Sequence, residues 1–291
     1  MLSKLILKTG KIKSIKRYHP WVFSGAIKKI EGNIKNGDIV EIFSNHDEYL
    51  ASGHYQEGTI AVRIFSFNRV TPDYEFWKSK IYNAYKLRDS LNLISNKSTN
   101  AYRLVFAEGD ELPGLVIDFY NGVAVIQCHS VGMHNIIQDI SQILQDIYKE
   151  KIIAIYDKSQ NSLPTMNNNT YENKFLYGNI PNTTILENDF KFIVDFIEGQ
   201  KTGFFIDQRE NRTLIKNYSK DRKVLNLFSY TGAFSIYAAG SGAKFIYSVD
   251  SSAKAIDMAK KIWKLMALVL FQKKSKLMLW NICKIQMKNT I

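Results

Sequence analysis

The strongest chemical signal in this sequence is an aspartate at the end of one apolar run and a glycine-bearing turn at the end of the run before it. Ser229, Tyr230, Thr231 and Gly232 follow the run Val224 to Phe228. That run has the length and character of a strand buried on both faces. From Ala233 the small and apolar residues Ala233, Ile236, Tyr237 and Ala239 predict a helix, which Gly240 and Gly242 close. A second strand, Lys244 to Val249, stops on Asp250. A β–turn–α–β–acid unit of this kind turns backbone N–H groups and a helix N-terminus toward a ligand. Gly232 lacks a Cβ, so a ligand can approach the backbone there. The acid falls about 20 residues past the turn, where a carboxylate meets ribose hydroxyls.

The turn has no G-x-G-x-x-G, which argues against a pyrophosphate. A ribose-bearing cofactor without phosphate fits better, and S-adenosylmethionine answers that description. The same pattern also describes an ordinary βαβ unit with an acid by chance at its second strand end. Cys128 sits within an apolar strand pattern and reads as core. Cys283, in W-N-I-C-K, lacks the setting of an activated nucleophile. His19 is followed by proline and has no partner at ligand spacing, so it reads as a turn residue and no metal site is expected.

The elements that position this unit come earlier in the chain. Residues 1–70 alternate short apolar strands with turns at Gly37-Asp38, Asn45 to Asp47 and Glu57-Gly58, which predicts a compact β pseudobarrel. Thr71-Pro72-Asp73 opens a helix over Phe76 to Leu91, with Trp77, Ile81, Ala84, Tyr85 and Leu91 at helical spacing. Antiparallel strands follow, with a hairpin at Asn121-Gly122. Met133 to Tyr148 then reads as an amphipathic helix and Ile152 to Tyr156 as a strand. Ser159 to Tyr171 reads as a loop. Phe190, Phe192, Val194 and Phe196 share one face of a later strand pair. Asp207 has the position of a helix N-cap before Tyr218. The fold class is α/β: residues 1–70 a β module, 71–185 an α+β domain, and 186–291 an incomplete Rossmann-like domain.

The net charge is +12. Lys4, Lys8, Lys11, Lys13, Lys16, Arg17, Lys28 and Lys29 face no acid within residues 1–30, and residues 258–291 are likewise basic and acid-free. Such ends suit a phosphate backbone, or a solvated lysine-rich surface. No run has the roughly 20 apolar residues of a membrane span, and two cysteines imply no disulfide framework. A cytoplasmic protein is expected.

Asn226 to Phe234, N-L-F-S-Y-T-G-A-F, resembles the cofactor loop of the bacterial 23S ribosomal RNA 5-methylcytosine methyltransferases that carry a PUA domain. Glu198 to Arg212, E-G-Q-K-T-G-F-F-I-D-Q-R-E-N-R, resembles that family's approach to the cofactor pocket. His19 to Ile27, H-P-W-V-F-S-G-A-I, resembles the opening of a PUA domain, an RNA-binding module. The resemblance covers roughly Met1 to Ile262. It implies a class I methyltransferase that uses S-adenosylmethionine and modifies cytosine C5 in unpaired or deproteinised 23S ribosomal RNA. Carried over by motif, the cofactor-binding residues are Asp207, Gln208, Arg212, Asn226, Phe228, Ser229, Tyr230, Thr231, Gly232 and Asp250. Lys11, Lys13, Lys16 and Arg17 are the implied phosphate contacts. Arg103, Glu108 and Asp110 are candidates for a substrate wall, or turn and surface charges. A homodimer is left open.

Beyond Trp263 the pattern changes. From Lys264 onward there is no glycine, proline or acid. The family's Asp-Pro-Pro strand end and nucleophilic cysteine have no counterpart here, so the catalytic residues stay unassigned. This reads as a reading-frame change near residue 263, or as a shortened helix that closes the sheet. Two alternatives to an active enzyme follow: an RNA-binding protein without catalysis, and a degenerate product.

Overall fold

A computed structural model describes residues 3–164, 171–270 and 276–281. The chain forms two compact units, residues 1–95 with 102–180, and residues 96–101 with 181–291.

In the first unit, β1 (Ser3–Leu7), β2 (Trp21–Phe23), β3 (Ile27–Glu31), β4 (Ile39–Phe43), β5 (Tyr49–Tyr55) and β6 (Ile60–Ser66) build a sheet ordered β2-β6-β5-β4-β1-β3. Bulges interrupt the β1–β3, β2–β6, β4–β5 and β5–β6 pairings. Bulges increase twist and bend a strand, which curls the sheet around Leu5, Leu7, Val40, Ile42, Val62 and Ile64. This is the β module expected from the turn spacing.

Helix α1 (Tyr74–Ser90) starts at Asp73, whose carboxylate accepts the Phe76 N–H at 3.0 Å. Trp77, Ile81 and Ala84 are buried as their spacing predicts, but Leu91 is exposed because it lies past the last turn. Strands β7 (Ala101–Phe106), β8 (Leu115–Tyr120) and β9 (Val123–Cys128) follow. Tyr120 pairs with Val123 across Asn121-Gly122, and both turn residues have positive φ, as a two-residue hairpin turn requires. The single helix expected at Met133 to Tyr148 is two, α2 (Val131–Asn135) and α3 (Ile137–Tyr148), separated at Ile136. Ser130 caps α2 from outside the expected span. β10 (Ala154–Asp157) runs parallel to β9, and β11 (Lys174–Tyr177), which the sequence did not announce, adds an antiparallel edge. Residues 165–170 of the expected loop lie outside the described residues.

His54 is buried in this unit, stacked on Trp77 and packed against Phe65. A Cβ at Gly132 would fall 2.2 Å from the imidazole, so only glycine lets α2 come this close. His54 Nδ1 is buried without a partner among the described residues, and burial pushes its pKa down to about 4. Unfolded, the imidazole titrates near 6.5, so the unfolded chain takes up the proton first as pH falls. The stability tied to neutral His54 is complete above about pH 6.5 and is lost toward pH 4, by about 3 kcal/mol in all. Urea denaturation across this range should show that loss, and His54→Phe should flatten the profile.

In the second unit, β12 (Thr183–Glu187) and β13 (Phe190–Val194) form an antiparallel pair. Phe190, Phe192, Val194 and Phe196 are buried on one face, as alternation predicts. Then come α4 (Arg209–Ser219), β14 (Lys223–Leu227), α5 (Ala233–Gly240), β15 (Phe245–Asp250), α6 (Ala253–Leu270) and β16 (Lys276–Asn281). The parallel order is β14-β15-β16. Helix α6 runs past Trp263 to Leu270, and the tail read as a shortened helix or an out-of-frame stretch contributes a strand. Asn281 pairs with Asp250 in that register.

One expectation fails on β14. Its apolar run was read as buried on both faces, yet Leu225, Leu227 and Phe228 are 61%, 54% and 92% exposed. Val224 packs toward α5, while nothing among the described residues covers the other side. β14 also hydrogen-bonds to β15 alone among the described residues. A bare apolar strand edge favours association with other chains.

Candidate cofactor site

The turn between β14 and α5 is strained in a regular way. Phe228, Tyr230 and Gly232 have φ of 53°, 47° and 79°. Left-handed backbone at bulky residues costs on the order of 1–3 kcal/mol each and concentrates where a ligand is gripped.

Asp250 ties the turn down. Its Oδ2 accepts the Tyr230 N–H at 2.7 Å, and its Oδ1 accepts the Ser252 N–H at 2.9 Å. Each oxygen keeps a lone pair for a further donor. The Ser229 N–H reaches the Val249 carbonyl at 3.0 Å, so the turn lies against the end of β15. Below it, the Asn226 amide donates to Ser235 Oγ (2.9 Å), which shares a hydrogen bond with Ser248 Oγ (2.6 Å). Asn226 therefore fastens β14, α5 and β15 together beneath the turn.

The Tyr230 hydroxyl accepts the Gln200 N–H (3.0 Å) and donates to the Gly203 carbonyl (3.4 Å). This joins the turn to the loop Glu198–Gly203. The loop is shaped by Asp195, whose Oδ1 accepts the N–H groups of Ile197 and Glu198. A cavity of about 110 Å³ lies here, lined among others by Asp195, Gly199, Tyr230, Thr231, Ser252 and Met258.

Two sequence readings change. Gly232 was expected to be glycine so that a ligand could approach. Its φ of 79° already demands glycine, and an added Cβ would touch Ala259 Cβ at 3.4 Å. We expect Gly232→Ala to destabilise this unit by about 1–2 kcal/mol, read as a lower denaturation midpoint. Asp207 was expected to cap a helix, but Gln208 holds the N-cap position of α4 without a side-chain bond, and the Asp207 carboxylate instead accepts Gln208 Nε2 at 3.1 Å.

Arg212, assigned to the cofactor by motif, is buried in an ion pair. Its Nε and Nη2 donate to the two oxygens of Glu187, both at 2.7 Å. Arg209 adds a contact to the same carboxylate at 3.4 Å. Both arginines therefore share one buried acid. Glu187 was missed, although a signal existed: it falls on the inward phase of β12 with Thr183 and Ile185. Phe228 is almost wholly exposed, and Ser229 and Thr231 are largely buried.

The wall candidates of the first unit are occupied structurally. Arg103 pairs with Asp118, Glu108 accepts the Trp21 indole N–H at 2.8 Å, and Asp110 pairs with Arg88. Lys11, Lys13, Lys16 and Arg17 are exposed on the β1–β2 loop, anchored by buried Ile15, with Lys16 held 2.9 Å from Glu48. Cys128 is fully buried, and burial pushes its thiol pKa up, so it is no nucleophile. Cys283 lies outside the described residues.

An adenosyl group fits this donor set. The carboxylate at the tip of β15 has free lone pairs, and Ser229 Oγ is buried with no partner among the described residues. A parallel β–turn–α–β unit with that carboxylate, and no G-x-G-x-x-G in its turn, is the arrangement of a nucleoside-cofactor site of the methyltransferase class. The comparisons agree: residues 105–271 match the S-adenosylmethionine-dependent methyltransferase family, and residues 5–67 match a PUA-like domain. The chain belongs to the S-adenosylmethionine-dependent methyltransferases, and its cofactor is S-adenosylmethionine.

Its architecture is an N-terminal PUA-like half-barrel, a central mixed α/β region and a C-terminal Rossmann-like methyltransferase fold. Similar curated proteins include the ribosomal RNA large subunit methyltransferase I of Aeromonas salmonicida, 38% identical over 261 residues (88% of this chain, 65% of that one). That of Pseudoalteromonas translucida is 38% identical over 265 residues (90% and 66%). The chain thus spans just under two thirds of the length of these relatives. Among solved structures, a Streptococcus mutans chain described as a SAM-dependent methyltransferase shares the fold, with TM-score 0.79 at 24% identity over 97% of this chain and 71% of that one. No helix among the described residues is long and apolar enough to cross a membrane.

Proposed function

We propose that this chain serves methyl transfer from S-adenosylmethionine to C5 of a cytosine in large-subunit ribosomal RNA. The observation that carries the reading is the 38% identity, across both the PUA-like and the cofactor regions, to proteins named for that RNA. In this reading Asp250 takes the ribose hydroxyls. Ser229, Tyr230, Thr231 and Gly232 present the turn, Asn226 holds it in place from beneath, and Arg212 keeps α4 in position. Phe228, Asp207 and Gln208 flank the bound cofactor. Lys11, Lys13, Lys16 and Arg17 meet phosphates of unpaired RNA. The division at residues 70 and 185 into RNA-binding, central and cofactor domains belongs to the same reading.

The bound cofactor supplies an electrophilic methyl group. Transfer to C5 also needs a thiolate that adds to C6 and a base that removes the C5 proton. Cys128 cannot serve, being buried with its pKa pushed up. That observation favours a second reading, in which the chain holds RNA and cofactor without turning over.

Labelled S-adenosylmethionine, deproteinised 23S RNA and the purified chain separate the two. Label at cytosine C5 supports transfer. Binding of both ligands without label, restored by fusing the C-terminal third of a full-length relative, supports the second reading. Failure to bind an adenosyl ligand overturns both.

A further inference from the structure

Tyr18 is the most exposed aromatic residue of the β module bar none among the described residues, with 73% of its surface open. It closes the basic β1–β2 loop in left-handed conformation, φ 62°, with its N–H on the Ile15 carbonyl at 2.8 Å. Its ring is braced edge to face on Phe67, centroids 5.1 Å apart. The side chain is therefore held out from the surface by its own backbone and by a neighbour.

Two cavities share Tyr18 and Phe67 in their walls. The larger, about 640 Å³, is lined by Tyr18, Phe67, Asn68, Phe76 and Asn83 among others. The smaller, about 300 Å³, is lined by Tyr18 and Phe67 again, with Lys16, Tyr49 and Leu50. Both volumes fall in the range of small-ligand sites, about 300–1,000 Å³. Asn83 offers a side-chain amide with no hydrogen-bond partner among the described residues. An amide of this kind can pair with a base edge. Lys16 lines the smaller cavity and Arg17 follows it on the exposed loop, so cations are available to a phosphate backbone beside that cavity.

We propose that Tyr18 is a wedge between two successive unpaired nucleotides of an RNA strand, one base entering each cavity and stacking on the tyrosine. The cavity with Asn83 reads the edge of its base. The proposal rests on the RNA partner given under Proposed function and names where that partner is gripped.

The test is fluorescence anisotropy on the full chain with a labelled single-stranded RNA of about 12 nucleotides and the matching duplex. Tyr18→Ala should weaken single-strand binding roughly 10- to 100-fold, with the slope of affinity against salt unchanged, because stacking releases no counterions. Tyr18→Phe should bind like wild type. Lys16→Ala with Arg17→Ala should instead lower the salt slope. Duplex affinity should not respond to Tyr18→Ala. A change below twofold for the single strand, or an equal loss for the duplex, overturns the wedge while the RNA partner stands. Wild-type protein that binds neither RNA overturns the partner, and the wedge with it. Tyr18 is exposed, and an unchanged melting curve for Tyr18→Ala verifies that its loss leaves the fold intact.

Discussion

Asp250→Ala is expected to raise the dissociation constant for S-adenosylhomocysteine at least 100-fold. The carboxylate does two jobs. It accepts the N–H groups of Tyr230 and Ser252 at 2.7 and 2.9 Å, and so sets the turn that faces the ligand. It also retains the lone pairs that take a ribose. Hydrogen bonds to a charged group contribute about 1.5–3 kcal/mol each, and a 100-fold change corresponds to about 2.7 kcal/mol. Losing the ligand contact alone accounts for much of that, and loosening the turn supplies the rest. Asp250→Asn keeps one acceptor and the shape, and should fall between wild type and alanine. Isothermal titration of each variant decides the matter, with hydrogen exchange at Tyr230 and Ser252 reporting the turn. Wild-type affinity in Asp250→Ala would remove the ribose assignment.

Glu187→Gln should cost the second unit about 3–5 kcal/mol, the usual penalty for breaking a buried pair from one side. Glu187 and Arg212 are 0% and 2% exposed at their side chains. Arg212 stacks its guanidinium 4.7 Å from the Phe204 ring centre, and the Tyr237 hydroxyl donates to the same carboxylate at 3.0 Å. Glutamine leaves one arginine buried without a counter-charge, and water cannot reach it. Replacing both members, Glu187→Leu with Arg212→Met, should recover most of the loss, since an apolar pair asks for no desolvation. Denaturation followed by hydrogen exchange in β12 and β13 reads this unit separately. A loss under about 1 kcal/mol in Glu187→Gln would show that the pair is solvated in solution. The same test bears on Arg212, because a residue held this tightly acts on the cofactor only by keeping α4 in place.

The order β–turn–α–β–acid was legible in the chain because strands and helices have different hydrophobic periods and the turn falls between them. Asp73 as a cap and Asn121-Gly122 as a hairpin were legible for the same local reason: neighbours within a few residues decide them. β11 escaped because a short edge strand needs little apolar patterning. The break at Ile136 escaped because the apolar spacing read over Met133 to Tyr148 runs straight through it.

The candidate site divides along the same line. Asp250 and Gly232 were identifiable from type and spacing. The reason for Gly232 was not, since φ and the distance to Ala259 exist only in the folded chain. Arg212 was assigned to the cofactor by motif, and its buried pairing with Glu187, 25 residues earlier, is visible only in the folded chain. The sequence by itself determined the apolar run of β14, a pattern suited to cover on both sides. Only the tertiary structure decided that Leu225, Leu227 and Phe228 face solvent, because periodicity records which side chains are apolar and burial depends on what packs against them.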